Sequence, residues 1–167
     1  MKKVVLLLMV IMIMVLASCG YGNEDYKTPD ESAQEMITNI VVCFENKDKE
    51  TLTTYFCEST QKNGNLDYEI DEAFEFIDGD IVSYGEPHSG CIGSITDKAY
   101  GGYINEVKTE KGTIYKFDFK GMYRYDEDKT QEGVSGLRII NMSDGYDYDN
   151  PKSDISTHRI MVGKYDE

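Results

Sequence analysis

The spacing of apolar residues changes once along this chain, at Asp78-Gly79-Asp80, and that change separates two kinds of secondary structure. Before it, apolar residues recur every three or four positions, the period of a helix with one buried face. Pro29-Asp30-Glu31 marks a helix entry, because acidic residues favour the positive end of the helix dipole. Met36, Ile37, Ile40, Val41 and Phe44 then form a stripe, with Cys43 on its flank. A break at Asn46-Lys47-Asp48 precedes a shorter stripe of Leu52, Tyr55 and Phe56. After Asn63-Gly64-Asn65 a third helix is predicted, with Ile70, Phe74 and Ile77 on one face. Its Asp67, Glu69, Asp71, Glu72 and Glu75 belong to the wet face, and Gly79 suits a left-handed C-cap.

From Ile81 onward the period is two. "DIVSYG" reads as a first strand, and Val107-Lys108-Thr109 followed by Glu110-Lys111-Gly112 as a hairpin leading into the next. In "TIYKFDFKGMYRY", Tyr115, Phe117 and Phe119 alternate with Lys116, Asp118 and Lys120, the pattern of a half-buried antiparallel strand. Asp118 therefore points away from the two phenylalanines beside it. Gly121 marks a bulge or bend in that strand. "GLRIINM" (136–142) and "HRIMVG" (158–163) supply two more strands, whereas the Gly-rich stretch 85–103 alternates less well and receives no register. Helices followed by a run of strands predict an α+β fold, three N-terminal helices packed on an antiparallel sheet.

The N-terminus carries a separate message. Met1-Lys2-Lys3 is cationic, the thirteen residues Val4–Leu16 are uncharged and apolar, and Ala17-Ser18-Cys19 follows. Thirteen apolar residues are short for a membrane span, which needs about 20. The layout is that of a secretory signal. "LASC" resembles the lipobox of bacterial lipoproteins, in which the cysteine thiol is alkylated by a diacylglyceryl group and becomes the first residue after cleavage. The resemblance implies lipidation at Cys19, a signal peptide over residues 1–18 and a flexible tether over 19–29. Residues 30–167 then form a single folded domain. The expected location is the extracytoplasmic face of the cell membrane, held by the lipid anchor, since two acyl chains hold where one is marginal.

The net charge of −14 becomes about −16 once Lys2 and Lys3 are removed. Such acidity excludes nucleic acid, whose phosphates repel it, and disfavours anionic lipid surfaces. With Cys19 carrying lipid, Cys43, Cys57 and Cys91 remain, an odd number that makes no disulfide framework. One bridge among them is compatible with an oxidising compartment, but Cys43 and Cys57 fall at apolar positions of predicted helices and are read as buried thiols. "DGYDYDNPKSD" (144–154) approaches a calcium loop, but Pro151 and Lys152 stand where an acidic or amide residue and a glycine belong, so it reads as an acidic loop. "YDEDKTQEG" (125–133) reads as a charged hairpin tip. Phosphate-binding, nucleophile-elbow and zinc motifs are absent from the sequence. It offers no catalytic, metal or cofactor residue.

The succession of helices, the segment "FIDGDIVSY" (76–84) and the strands beyond it resembles the NTF2-like (cystatin-like) cone, and more narrowly a family of Gram-positive lipoproteins of unknown function. The resemblance implies a curved sheet that encloses a pocket with the helices. It also implies homodimers through the open sheet face. Two functions follow as expectations. The first is a non-enzymatic module that binds a small ligand or another envelope protein, a cationic partner among them. The alternative is a small proton-transfer enzyme of the isomerase or dehydratase type. That enzyme needs a buried carboxylate or one of the two histidines, His88 or His158, beside a tyrosine in the pocket.

Overall fold

A computed structural model describes residues 27–93, 97–143 and 158–165, with the backbone alone for 91–93. Cys19, the signal and most of the tether lie outside these residues, as do the acidic loop 144–154 and the side chain of Cys91. No described helix is long and apolar enough to cross a membrane.

Helix α1, Pro29–Asn46, starts with a capping box. Thr28 Oγ1 accepts from the Glu31 N–H, and the Glu31 carboxylate accepts from the Thr28 N–H. Lys47 closes it in the left-handed conformation at φ 55°. Helix α2, Lys49–Tyr55, is capped by Asp48, which accepts from the Thr51 N–H at 3.0 Å. A one-turn helix α3, Glu58–Gln61, comes next and brings the α-helices among the described residues to four rather than three, since α4, Leu66–Phe76, follows. Two details of α4 differ from the expectation. Ile77 is extended and ends the helix, so Gly79, with φ 91°, shapes the following loop and is not the cap. Glu69 is not left wet, because its carboxylate accepts from the Gly163 N–H at 2.7 Å.

The strands are β1 (Ile81–Tyr84), β2 (His88–Gly93), β3 (Asp97–Thr109), β4 (Ile114–Tyr125), β5 (Gly133–Asn141) and β6 (Arg159–Gly163). They form one antiparallel sheet in the order β1-β3-β4-β5-β6, and β2 pairs with the same edge of β3 beyond β1. The Gly-rich stretch that alternates poorly is thus β2 and the first half of β3. Its glycines hide the period of two, but their backbones still pair. Bulges between Ile81 and Ser83, Lys98 and Ala99, Ile104 and Val107, and Lys120 and Gly121 bend the sheet. The curved open sheet that results, behind its helices, is the mixed α+β arrangement expected from the period change.

One face of the sheet takes the helices. Ala33, Ile37, Ile40, Val41 and Phe44 of α1 meet Ile104, Phe117, Phe119, Leu137 and Ile139 of the strands. Phe44 joins the layers, with its ring 4.8 Å from Phe74 of α4 and 5.1 Å from Phe117 of β4, both edge-on. Gly102 lets α1 approach the sheet. A Cβ there would lie 2.8 Å from the Ala33 carbonyl oxygen and 3.0 Å from the Phe119 ring. The helix-side space, where the enzyme reading needs an open pocket, is filled by these hydrocarbon side chains.

Cys43 and Cys57 are buried and free, as small hydrophobes would be. Cys57 lies not within a helix but at the extended N-cap of α3, where its N–H donates to the Val134 carbonyl at 2.8 Å. Burial, and after it the Asp48 carboxylate, pushes the Cys43 thiol above its ordinary value, and burial does the same to the Tyr55 phenol beside it. A group whose pKa is raised by folding stabilises fully below its unfolded value and loses that contribution as pH rises through the folded one. The melting temperature should therefore fall as pH climbs from about 8 towards 10. The fall should be shallower in Cys43→Ala, and parallel profiles for the two proteins would contradict this account.

Candidate functional site

The second face of the sheet carries the polar members of the alternating strands, and the pairing register assembles them. His88, Tyr103, Asp118, Arg138 and Met161 are successive cross-strand partners from β2 to β6, so they form one row across the face. Two residues further along each strand, the partners are Gly90, Gly101, Lys120, Gly136 and Gly163. Lys120 is the one side chain in that row. On the other flank Lys116 pairs with Ile140, and Ile140 with Arg159. Adjacent rows lie about 7 Å apart along the strands. Gly90 and Gly101 therefore leave a stretch of this face whose floor is backbone, and it contributes to a groove of about 790 Å³. Tyr103, Lys116, Asp118, Lys120, Arg138 and Tyr165 supply the functional side chains around it.

Asp118 is the centre of the arrangement. Only 6% of it is exposed, and its carboxylate accepts from Arg138 Nε at 3.1 Å and Nη2 at 3.0 Å. The Tyr165 hydroxyl donates to its second oxygen. This is a charge-assisted, two-pronged contact, stronger than a neutral hydrogen bond. Tyr165 reaches the site because β6 ends at Gly163, in the left-handed region at φ 73°, and the chain turns back over the sheet. The Lys164 N–H donates to the Ser135 carbonyl at 2.8 Å. Gly136 makes room for that turn, since a Cβ there would lie 2.5 Å from the Lys164 carbonyl oxygen.

Three cations lie over two aromatic rings. Lys120 Nζ stands 4.6 Å from the centre of the Tyr165 ring, and the Arg138 guanidinium carbon is also 4.6 Å from it. Lys116 Nζ is 4.9 Å from the Tyr103 ring, which His88 stacks against at 4.9 Å. Such contacts contribute about 0.5–2 kcal/mol each and restrict where the charge can sit. Lys116 is buried, 8% exposed, whereas Lys120 is exposed.

Of the residues that the sequence brings forward, Asp118 does face away from the core, and His88 joins it on this surface. His158 stands just before β6, with its carbonyl accepting from the Asn141 N–H. The charged tip after β4 folds into a single 3₁₀ turn, Lys129–Gln131, in which Lys129 pairs with Glu132 at 2.7 Å. Among the described residues no group of three or more His, Cys, Asp or Glu could hold a metal ion. Arg138 and Tyr165 were not singled out from sequence. In β5 the flanking Leu137 and Ile139, both buried, hold a signal that Arg138 faces the other way, but Tyr165 lies past the last strand and has none.

A comparison with curated proteins finds no match. A family model does match residues 39–142, from the middle of α1 to the end of β5, which takes in Lys116, Asp118, Lys120 and Arg138 and leaves out Tyr165. On that match over more than half of its length, the chain belongs to the DUF5104 family, a domain of unknown function.

Proposed function

We propose that this protein is a lipoprotein, anchored through Cys19 to the extracytoplasmic face of the cell membrane, whose domain over residues 30–167 is a non-enzymatic binding module. The observation that carries the binding reading is the groove on the second sheet face, where Lys116, Asp118, Lys120, Arg138 and Tyr165 converge over a glycine floor. A groove of this size, with few polar groups around it, is what small-molecule sites offer. The carboxylate in it argues against a proton-transfer role, because its oxygens already accept from Arg138 and Tyr165. Helices on one face of a curved antiparallel sheet are in keeping with an NTF2-like cone. On this reading the helix-side pocket of the cone is filled and recognition moves to the opposite face.

The anchor rests on "LASC" after an apolar run of thirteen residues. Metabolic labelling with a tagged fatty acid tests it. Label should enter the wild-type chain and not Cys19→Ala, which should also keep its leader. An unlabelled wild type would remove the anchor.

A further inference from the structure

We infer that Tyr165 is a built-in plug of the groove, an autoinhibitory contact, and that the place it fills is a subsite for the phenol ring of a small ligand. This deepens the reading of the second sheet face as the binding surface and rests on it. Tyr165 is not part of the core between sheet and helices. It lies past β6 and lines the groove beside Asp118, Lys120 and Arg138. The sheet is shaped to receive the segment that carries it. β6 ends at Gly163 in the left-handed region, at φ 73°. A Cβ at Gly136 would lie 2.5 Å from the Lys164 carbonyl oxygen and 2.7 Å from the Tyr165 nitrogen, so a side chain there would lift the segment off the strand.

Seated in this way, the Tyr165 phenol shows what its surroundings recognise. Its hydroxyl donates to Asp118, which is 6% exposed and held by Arg138. The centre of its ring is 4.6 Å from Lys120 Nζ and 4.6 Å from the Arg138 guanidinium carbon. An electron-rich ring face with a hydroxyl donor at its edge is what these groups fit. A ligand with the same group makes the same contacts once Tyr165 has left. Its hydroxyl then replaces that of Tyr165 on Asp118, so the carboxylate remains an acceptor paired with Arg138 and no proton is transferred. The body of the ligand extends over the backbone of Gly90 and Gly101, where a Cβ at Gly90 would meet no atom within 4 Å. Apparent affinity is then set by the fraction of chains in which the plug is out.

The test uses the full chain in non-ionic detergent and two probes. The first is p-cresol, the tyrosine side chain as a free molecule. The second is its methyl ether, 4-methylanisole, which keeps the ring and cannot donate. Binding is followed by NMR titration of the wild type, Tyr165→Gly and Gly136→Val. Tyr165→Gly removes the plug. Gly136→Val keeps the plug in the chain but denies it its seat, and valine suits a strand. For a molecule of this size, p-cresol should bind both variants with Kd of about 1 mM or below. The wild type should bind it at least about tenfold more weakly. In Tyr165→Gly the ether should bind about tenfold more weakly than p-cresol, because it leaves a charged acceptor without its donor. Saturating p-cresol should raise the melting temperature of Tyr165→Gly. In the wild type it should speed hydrogen exchange at the Lys164 amide, which donates to the Ser135 carbonyl at 2.8 Å while the segment is seated.

Equal affinity of p-cresol for the three proteins would overturn the plug. An ether that binds Tyr165→Gly as well as p-cresol does would overturn the phenol subsite, and no uptake of p-cresol by either variant would overturn both. The groove reading is judged separately, by whether any of a varied set of fragments shifts the Gly90 and Gly101 amides of the wild type. Shifts there with fragments other than phenols would keep the groove as a site while the inference falls. A wild type that sediments as a dimer, becomes monomeric in Tyr165→Gly and takes up no p-cresol would make this segment an interface between copies, and the inference would fall with it. Fatty-acid labelling of Cys19 is independent of every one of these results.

Discussion

Replacing Phe117 by alanine should remove about 3–5 kcal/mol of stability, the largest loss expected from any single side chain on β4. The ring is fully buried, packs edge-on against Phe44 at 5.1 Å, and through Phe44 joins α1 and α4 to the sheet. Alanine loses both the transfer of the ring from water and the contacts around the hole it leaves, because helices anchored on three sides relax only partly. Domains of this size have about 5–15 kcal/mol to lose, so the variant should melt more than about 10 °C below wild type. Lys108→Ala, on the neighbouring strand and exposed, should change stability by less than about 0.5 kcal/mol. Thermal and urea denaturation followed by circular dichroism would measure both. A loss under about 1 kcal/mol at Phe117 would mean that the layers are not held together as described.

The next residue along the strand points the other way, and its loss should be felt at the site. Asp118→Ala removes the acceptor for two Arg138 nitrogens and for the Tyr165 hydroxyl. Breaking one side of a buried ion pair costs about 3–5 kcal/mol. Here the aspartate side chain is 8% exposed and that of the arginine 19%, so solvent softens the penalty and about 2–3 kcal/mol is expected. The double variant Asp118→Leu with Arg138→Met removes both charges and should be more stable than Asp118→Ala alone. The coupling between the two positions is then read from the thermodynamic cycle of single and double variants. Strictly additive losses would show that the pair is not a unit.

Local spacing settled a good deal without any tertiary information. The stripe of Ile37, Ile40, Val41 and Phe44 is a helix face because 3.6 residues per turn is a property of neighbours in the chain. The alternation of Tyr115, Phe117 and Phe119 with Lys116, Asp118 and Lys120 divides β4 into an apolar and a polar face for the same kind of reason. Where the local code was interrupted, the reading was lost. Glycines at 90, 93, 101 and 102 hide the period of β2 and of the first half of β3, although their backbones pair as well as any. The one-turn α3 is too short to leave a stripe, and the end of α4 depends on how Ile77 leaves the helix rather than on Gly79.

The site itself was not legible, because it is made of register. His88, Tyr103, Asp118, Arg138 and Met161 come from five different strands, and nothing local states which residue of one strand will stand opposite which residue of the next. A slip of one position would turn every one of these side chains to the helix side. The same holds for Gly90 and Gly101, each unremarked in its own segment and a bare floor only when aligned. By itself the chain determined its longer helices, its strands outside the Gly-rich stretch and the polar side of β4. Pairing across the sheet, together with the turn at Gly163 that folds Tyr165 back, decided that Lys116, Asp118, Lys120, Arg138 and Tyr165 would meet beside the backbone of Gly90 and Gly101, because that meeting depends on distances between residues far apart in sequence.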